Sequence, residues 1–371
     1  MPSSSSLNMV KISQANLLHN LTLLQTLHPE QKVFPVLKSN AYGHWLKEVC
    51  QILNWADWVE YLCVDSYPER QIVRDYTNHK ALIIGETLPE NYRLYDTKRT
   101  ALAVYNTQTI RYLGDLWHPF KIHLFLNTGM NREGLDEGDL EDILMLLKKY
   151  PQLQIEGVMS HLATADEPDR TQTDEQIALY KHLYAKIVAA GHTPLRRHLG
   201  NSAGYAKLSD PLFTAARTGY VFYGYNPFEK NDPHFAVYAN LKPALSVTST
   251  IVSTHQLPAW AKIGYGATYT TSQPETICTI PFGYMEWLPR SVSNTAKIRR
   301  DDHYLQAAGR ISMNLSSFDA HQLAVQTGDT VEIISMNPDT PNSLYALATA
   351  AGTIPYELLV KLDRNTRRII V

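Results

Sequence analysis

Between residues 32 and 223, short apolar runs alternate with longer amphipathic stretches. Eight runs read as strands: 32–38, 58–65, 80–86, 100–106, 121–128, 153–161, 195–199 and 214–223. Several of the stretches between them carry apolar residues at helical spacing. In 174–190, Ile177, Tyr180, Leu183, Tyr184, Ile187 and Val188 fall on one face, and Gly191 follows as a stop. The stretch 137–150 repeats the pattern with leucine and isoleucine. A strand followed by a helix, eight times over, predicts a (β/α)8 TIM-like barrel. Beyond Tyr225 the texture changes. A connector at 226–232 rich in Pro and Asn leads to β-type runs at 244–254, 276–282, 304–313 and 330–336, separated by Gly, Pro, Asn and Asp. A partly helical segment, 343–362, follows. The expected organisation is a barrel over residues 1–236 and a mostly β C-terminal domain over 237–371.

Composition narrows the class of protein. The 371 residues are 44% hydrophobic and 19% charged, with a net charge of −2, so no basic surplus points to nucleic acid. Cys50, Cys63 and Cys278 stand far apart with no CxxC pair, which argues against a disulfide framework or a metal site. No apolar run reaches membrane-spanning length, and Met1-Pro-Ser-Ser-Ser-Ser6 has no secretory n-region or h-region. The expectation is a cytoplasmic protein that binds neither membrane nor nucleic acid.

In a barrel, chemistry sits where strands run into the loops that follow them. The run Val33-Phe-Pro-Val-Leu ends abruptly in Lys38, which is followed by small and polar residues. An amine held against an apolar strand loses part of the advantage of its charge, and a neutral lysine can add to a carbonyl group. The plainer reading is a lysine reaching from a strand end to water. Tyr42 follows the first run, Asn127-Thr-Gly-Met-Asn-Arg132 the fifth, and Ser160-His161 closes the sixth. His198-Leu-Gly-Asn201-Ser202-Ala-Gly204 follows the seventh, and Arg217-Thr-Gly219-Tyr220 sits on the eighth. Each alone has an ordinary explanation: a core histidine, or a helix-capping arginine. Together they gather at one end of one barrel.

The string Val36-Leu-Lys38-Ser-Asn-Ala-Tyr42-Gly-His44 resembles the lysine signature of the alanine racemase family. The resemblance continues in order through Asn127-Thr-Gly-Met-Asn-Arg132-Glu-Gly134, Ser160-His161, His198-Leu-Gly-Asn201-Ser202 and Arg217-Thr-Gly219. It then runs through Gly264-Tyr265-Gly-Ala-Thr268, Gly283-Tyr284, Gly309-Arg310-Ile-Ser-Met313 and Tyr356-Glu357. It implies a homodimeric fold-type III enzyme that uses pyridoxal 5'-phosphate to interconvert L- and D-alanine for peptidoglycan precursors. By that resemblance Lys38 holds the cofactor covalently. Tyr42, Ser202, Gly219, Tyr220 and Tyr356 match the phosphate shell, with His198 and Asn201 among the cofactor-binding positions. Arg217 matches the arginine facing the ring nitrogen; it cannot accept a proton, so the ring stays a modest electron sink. Racemisation needs a base on each face of Cα, and the match assigns Lys38 to one face and Tyr265 of the partner subunit to the other. Arg132 and His161 match supporting residues. Tyr284 narrows the entrance, and Met313 completes the partner's site together with Tyr265. Taken by itself, Tyr265 is one of 22 tyrosines.

Three departures stand out. Phe125 replaces a lysine, commonly carbamylated, and Asn127 an aspartate, so Arg132 loses two anionic supports; Asn127, a bound anion or another side chain is expected to orient it. Met285-Glu286-Trp287 replaces Ala-Asp-Gly and should reshape the entrance or the dimer surface. Met313-Asn314 replaces Met-Asp. These leave open a serine or broad-specificity amino-acid racemase on the same scaffold. A non-catalytic carrier or regulator that binds the cofactor is a further alternative, though such relatives are typically single barrels. Decarboxylases of this fold type carry glutamate where Arg217 stands, and the ligand clusters of a metal-dependent barrel hydrolase are missing.

Overall fold

The computed structural model describes residues 6–321 and 323–371. The reading of residues 1–5 as lacking a leader lies outside the described residues. Among the described residues, no helix is long and apolar enough to cross a membrane.

The chain divides into two compact units. One runs Leu17–Tyr42 and Val49–Leu241. The other gathers the chain up to Asn16, Gly43–Glu48 and Lys242–Val371. The first strand, β1 (Met9–Ile12), belongs to the second unit. The first unit carries β2 (Lys32–Pro35), β3 (Tyr61–Val64), β4 (Lys80–Ile83), β5 (Thr100–Val104), β6 (Lys121–Phe125), β7 (Gln154–Met159), β8 (Arg196–His198) and β9 (Ala215–Thr218). All eight expected strands are present, each shorter than its apolar run.

Strands β3 to β8 pair in parallel, in sequence order, as one six-stranded sheet, while β2 pairs in parallel with β9. A parallel bridge from Val36 to Cys63 joins β2 to β3. Thr214 N–H donates to the Arg197 carbonyl at 2.9 Å and Arg217 N–H to the Gly200 carbonyl at 3.0 Å, which links β8 to β9. Eight parallel strands therefore form a barrel-like ring. Strands covered on both sides can be apolar throughout, and β3 and β5 are buried at every position. The helix Glu137–Lys149 starts under the Asp136 cap, whose carboxylate accepts from Asp139 N–H at 3.0 Å; it places acidic residues in its first turn and Lys148 and Lys149 in its last. The helix Thr171–Ala189 buries Thr173, Gln176, Tyr180, Leu183 and Ile187, while Val188, expected on that face, is exposed.

The second unit is mostly β. Its strands are β1, β10 (Leu245–Thr250), β11 (Ser253–Leu257), β12 (Lys262–Ile263), β13 (Tyr269–Thr270), β14 (Glu275–Ile280), β15 (Lys297–Arg300), β16 (His303–Ala307), β17 (Ser316–Asp319), β18 (Thr330–Ile334) and β19 (Arg367–Ile370). Among the described residues, nine form one sheet in the order β11-β14-β17-β16-β15-β18-β10-β1-β19, and β12 and β13 form a hairpin. The run 244–254 is two strands, and β15, β17 and β19 add to those the apolar pattern marked. β1 lies antiparallel to β10 and parallel to β19, with Val10 and Ile12 fully buried. Gly43 explains why a short piece after Tyr42 joins this unit. Its φ is +78°, and a Cβ there would lie 1.9 Å from the Leu359 carbonyl oxygen. Trp45 continues the contact, with the Arg368 guanidinium 3.9 Å from its ring centre.

Candidate active site

Lys38 follows β2 and opens an unusual turn. Ser39, Asn40, Ala41 and Tyr42 all adopt left-handed helical angles, with φ between 51° and 56°. Such angles cost about 1–2 kcal/mol per residue outside glycine, so the surroundings must hold them. Glu69 does much of this. One of its oxygens accepts the Asn40 N–H at 3.1 Å and the other the Asp65 N–H at 2.9 Å, tying the loops after β2 and β3 together. Ala41 is buried, and Leu37 carbonyl accepts its N–H at 2.8 Å. The turn leaves Lys38 half-buried and aims Tyr42 at the end of β9. A Cβ at Gly219 would stand 2.6 Å from the Tyr42 hydroxyl. Tyr42 also lies against Tyr223, ring centres 5.2 Å apart, and burial pushes its hydroxyl up to about 12.

Ser202 lies beside the same spot. Its hydroxyl accepts Gly219 N–H at 3.2 Å and Val221 N–H at 3.5 Å, and Tyr220 is buried next to them. Asn201 faces inward: its carbonyl caps Gly204 N–H at 2.9 Å and its amide donates to the Leu162 carbonyl at 3.3 Å. This side chain builds the loop rather than opening to a ligand.

Arg217 is 4% exposed. Its guanidinium donates to His198 Nδ1 at 2.8 Å, to the His198 carbonyl at 2.9 Å, to the Ser160 carbonyl, and to His161 Nδ1 at 3.4 Å. His198 is fully buried, with its other nitrogen 2.8 Å from His123 Nδ1. Both its ring nitrogens are thus engaged by protein, and its reach toward any ligand runs through Arg217. Burial, then the Arg217, Arg132 and Lys38 cations, bring His161 down to about 3, so it is neutral at neutral pH.

Of the supports expected for Arg132 (Asn127, a bound anion or another side chain), the loop geometry supplies another side chain rather than Asn127. Asn127 Oδ1 accepts Gly129 N–H at 3.2 Å and Asn131 N–H at 3.1 Å, and its amide donates to Asn131 Oδ1. Asn127 is thus occupied with its own turn. Arg132 is exposed and pairs instead with Glu133 at 3.2 Å. Phe125 closes an apolar cluster with Ala103, Tyr105 and Met159, its ring 4.8 Å from that of Tyr105.

The remaining sequence candidates belong to the β unit. Tyr265 stands on a turn between Gly264 (φ +69°) and Gly266 (φ +72°) and is 71% exposed. Tyr284 and Met285 N–H groups donate to the Ser312 and Met313 carbonyls at 3.1 and 2.9 Å, so Tyr284 and Met313 ride on adjoining segments, both exposed. Tyr356 is half-buried in the helix Pro355–Val360. Trp287 departs from expectation. It is 4% exposed and its indole N–H donates to the Leu358 carbonyl, so it is chiefly a core residue of this unit. Glu286 accepts from Gly283 N–H and from Asn314 Nδ2, both at 2.8 Å. An aspartate at 314 would oppose that carboxylate, and asparagine donates to it instead.

With this geometry in view, comparison with known proteins is decisive. The model of the alanine racemase N-terminal domain matches residues 12–227 and that of the C-terminal domain matches 244–370. The chain belongs to the alanine racemase family. It is similar to the alanine racemase of Vesicomyosocius okutanii, 30% identical over 95% of this chain and 96% of that one. Among solved structures it resembles alanine racemase from Clostridium difficile 630, with TM-score 0.91, 27% identity, and coverage of 100% of this chain and 97% of that one. Alanine racemase from Bartonella henselae, whose structure contains covalently bound pyridoxal phosphate, shares the fold, with TM-score 0.86, 24% identity, and coverage of 99% and 100%.

Alanine racemase family membership gives the polar interior of the barrel its context, and part of it escaped sequence reasoning. His123, Glu156 and Glu69 were passed over. The available signal was polar residues at alternate positions within apolar strands, as in Lys121-Ile-His123 and Gln154-Ile-Glu156.

Proposed function

We propose that this chain is a pyridoxal-phosphate-dependent alanine racemase working by two bases, Lys38 and the Tyr265 hydroxyl. One observation carries the reading: Lys38, the Tyr42–Ser202–Gly219 cradle and buried Arg217 are built by the ends of neighbouring strands in one barrel unit. The residues fit the cofactor. Gly219 lets the Tyr42 hydroxyl come close to the backbone, where a Cβ would stand 2.6 Å from it, that hydroxyl suits a phosphate, and Lys38 supplies an amine. Tyr42, Ser202, Gly219 and Tyr220 would hold the phosphate, and Arg217 would address the ring nitrogen. When bound, the cofactor supplies a conjugated system that acidifies the substrate Cα–H.

The side chains do the rest. Lys38, as the free amine, takes or returns the proton on one face. Tyr265 does the same on the other face from a partner subunit, and its exposed turn suits that task, as does exposed Met313. Arg132 receives the substrate carboxylate, with Glu133 limiting its swing. Neutral His161 offers a hydrogen-bonding nitrogen without adding a charge. We place the enzyme in the cytoplasm as a homodimer that supplies D-alanine for peptidoglycan.

The test is the loss of circular-dichroism signal from L-alanine and L-serine, with absorbance read near 420 nm, where the lysine-bound cofactor is expected to absorb. Loss of L-alanine signal that Tyr265→Phe abolishes supports the reading. Faster loss with serine moves the enzyme to a broader amino-acid racemase. Bound cofactor with no racemisation of either amino acid favours a carrier.

A further inference from the structure

The guanidinium of Arg217 is buried, yet its partners among the described residues are all neutral: two carbonyl groups and two imidazoles. Buried cations are normally paired with an anion. The hydrogen-bond chain leaving Arg217 leads to one. Arginine only donates, so His198 Nδ1 must accept. Burial holds His198 and His123 neutral, and neutral His198 then carries its proton on Nε2. That N–H donates to His123 Nδ1 at 2.8 Å. By the same logic His123 carries its proton on Nε2, which lies 3.5 Å from Glu156 Oε2. Glu156 is held in turn by the Tyr61 hydroxyl and by Lys121 at 2.6 Å. One arrangement of protons runs the length of the chain, with a cation at one end and a carboxylate at the other; its last link, His123 Nε2 to Glu156 Oε2, is an electrostatic contact at 3.5 Å rather than a hydrogen bond.

Space is reserved for it. A Cβ at Gly157 would stand 2.3 Å from His123 Nδ1, so glycine beside Glu156 admits the His123 ring. Arg217, His198, Glu156 and His123 come from β9, β8, β7 and β6, four consecutive strands of the ring.

We propose that Glu156 is the relayed counter-charge of Arg217, acting through His123 and His198, and hence a positioning residue for the arginine that addresses the cofactor ring. The carboxylate raises the basicity of His123 Nδ1, which does the same for His198 Nδ1, and this tightens the bond that holds the guanidinium. The role in catalysis rests on the reading of Arg217 given above; the relay itself does not.

Glu156→Gln removes the charge at nearly constant size, and Glu156→Asp keeps it. In cofactor-free protein with 15N-labelled histidine, His123 and His198 are expected as Nε2–H tautomers. Glu156→Gln should shift both Nδ1 resonances, whereas Glu156→Asp should return them part-way. In the loaded enzyme Glu156→Gln should alter the cofactor absorbance and lower kcat about ten- to a hundredfold with KM nearly unchanged, the scale seen when a carboxylate behind a functional histidine is lost. Should Glu156→Gln fail to fold, Lys121→Met, which removes the cation screening Glu156, should move the histidine resonances in the opposite sense. Histidine resonances indifferent to these variants overturn the relay, even if thermal stability falls. Resonances that respond while absorbance and kcat do not overturn the placing of Arg217 against the ring and leave the relay standing.

Discussion

Replacing Gly219 with alanine tests the cradle at its narrowest point. The backbone does not require glycine there, since Gly219 is not among the positive-φ positions; the constraint is space. The new methyl carbon would lie 2.6 Å from the Tyr42 hydroxyl oxygen and 2.9 Å from the carbon bearing it. The phenol must retreat by roughly 0.8 Å to reach ordinary contact. It is not free to do so, because Tyr223 lies behind it with ring centres 5.2 Å apart, itself fully buried and donating to the Val36 carbonyl at 3.0 Å. Overpacking of this kind costs about 1–3 kcal/mol, equivalent to about 5- to 150-fold in a binding constant. Absorbance titration of the cofactor-free protein with pyridoxal phosphate measures the effect, with thermal unfolding of the same preparations reporting on the fold. The expected result is weaker cofactor binding within that range. Affinity within about twofold of the parent protein, with unchanged unfolding, would refute a phosphate cradle between Tyr42 and Gly219.

Three further expectations follow from the same geometry. Ser39→Val puts a β-branched residue at φ 56° on an exposed position and should cost about 1 kcal/mol in urea unfolding, whereas Ser39→Gly should cost nothing; equal losses would argue against strain in this turn. Trp287→Phe removes the indole donor to the Leu358 carbonyl, which keeps the Lys361 N–H at 3.3 Å, and should cost about 0.5–1.5 kcal/mol; unchanged stability would show that the bond contributes little. Stability of the cofactor-free protein should fall as pH drops from 7 to 5. His123 and His198 are held below the usual imidazole range and His161 sits at about 3, so below about pH 6.5 the unfolded chain binds protons that the folded chain refuses. Each group contributes up to about 1.4 kcal/mol per pH unit; urea midpoints measured at both pH values check the sign, and a flat profile would contradict it.

Much of this protein was legible in its sequence because the relevant signals are local. A strand buried on both faces must be apolar along its length, so eight short runs marked eight barrel strands. A lysine ending such a run, followed by Tyr42 and Gly43, marked the loop that carries it. Strand ends were overestimated because apolar residues continue into buried loops, as Val36 and Leu37 do beyond β2. Other features depended on contacts between distant segments. β1 is only four residues long and finds its place through β10 and β19, near the opposite end of the chain. Trp287 looked like a residue of the entrance or the dimer surface until Leu358 supplied an acceptor for its indole. Asn127 was one of three candidate supports for Arg132, and only the folded turn shows its side chain engaged there. The chain from Arg217 to Glu156 was the least visible. Its residues are spread over β6 to β9; Arg217 and His198 stood out in the sequence, but His123 and Glu156 look unremarkable within their own strands. Only closure of the barrel turns them toward one another, and it is that burial that forces a hydrogen-bond partner on each.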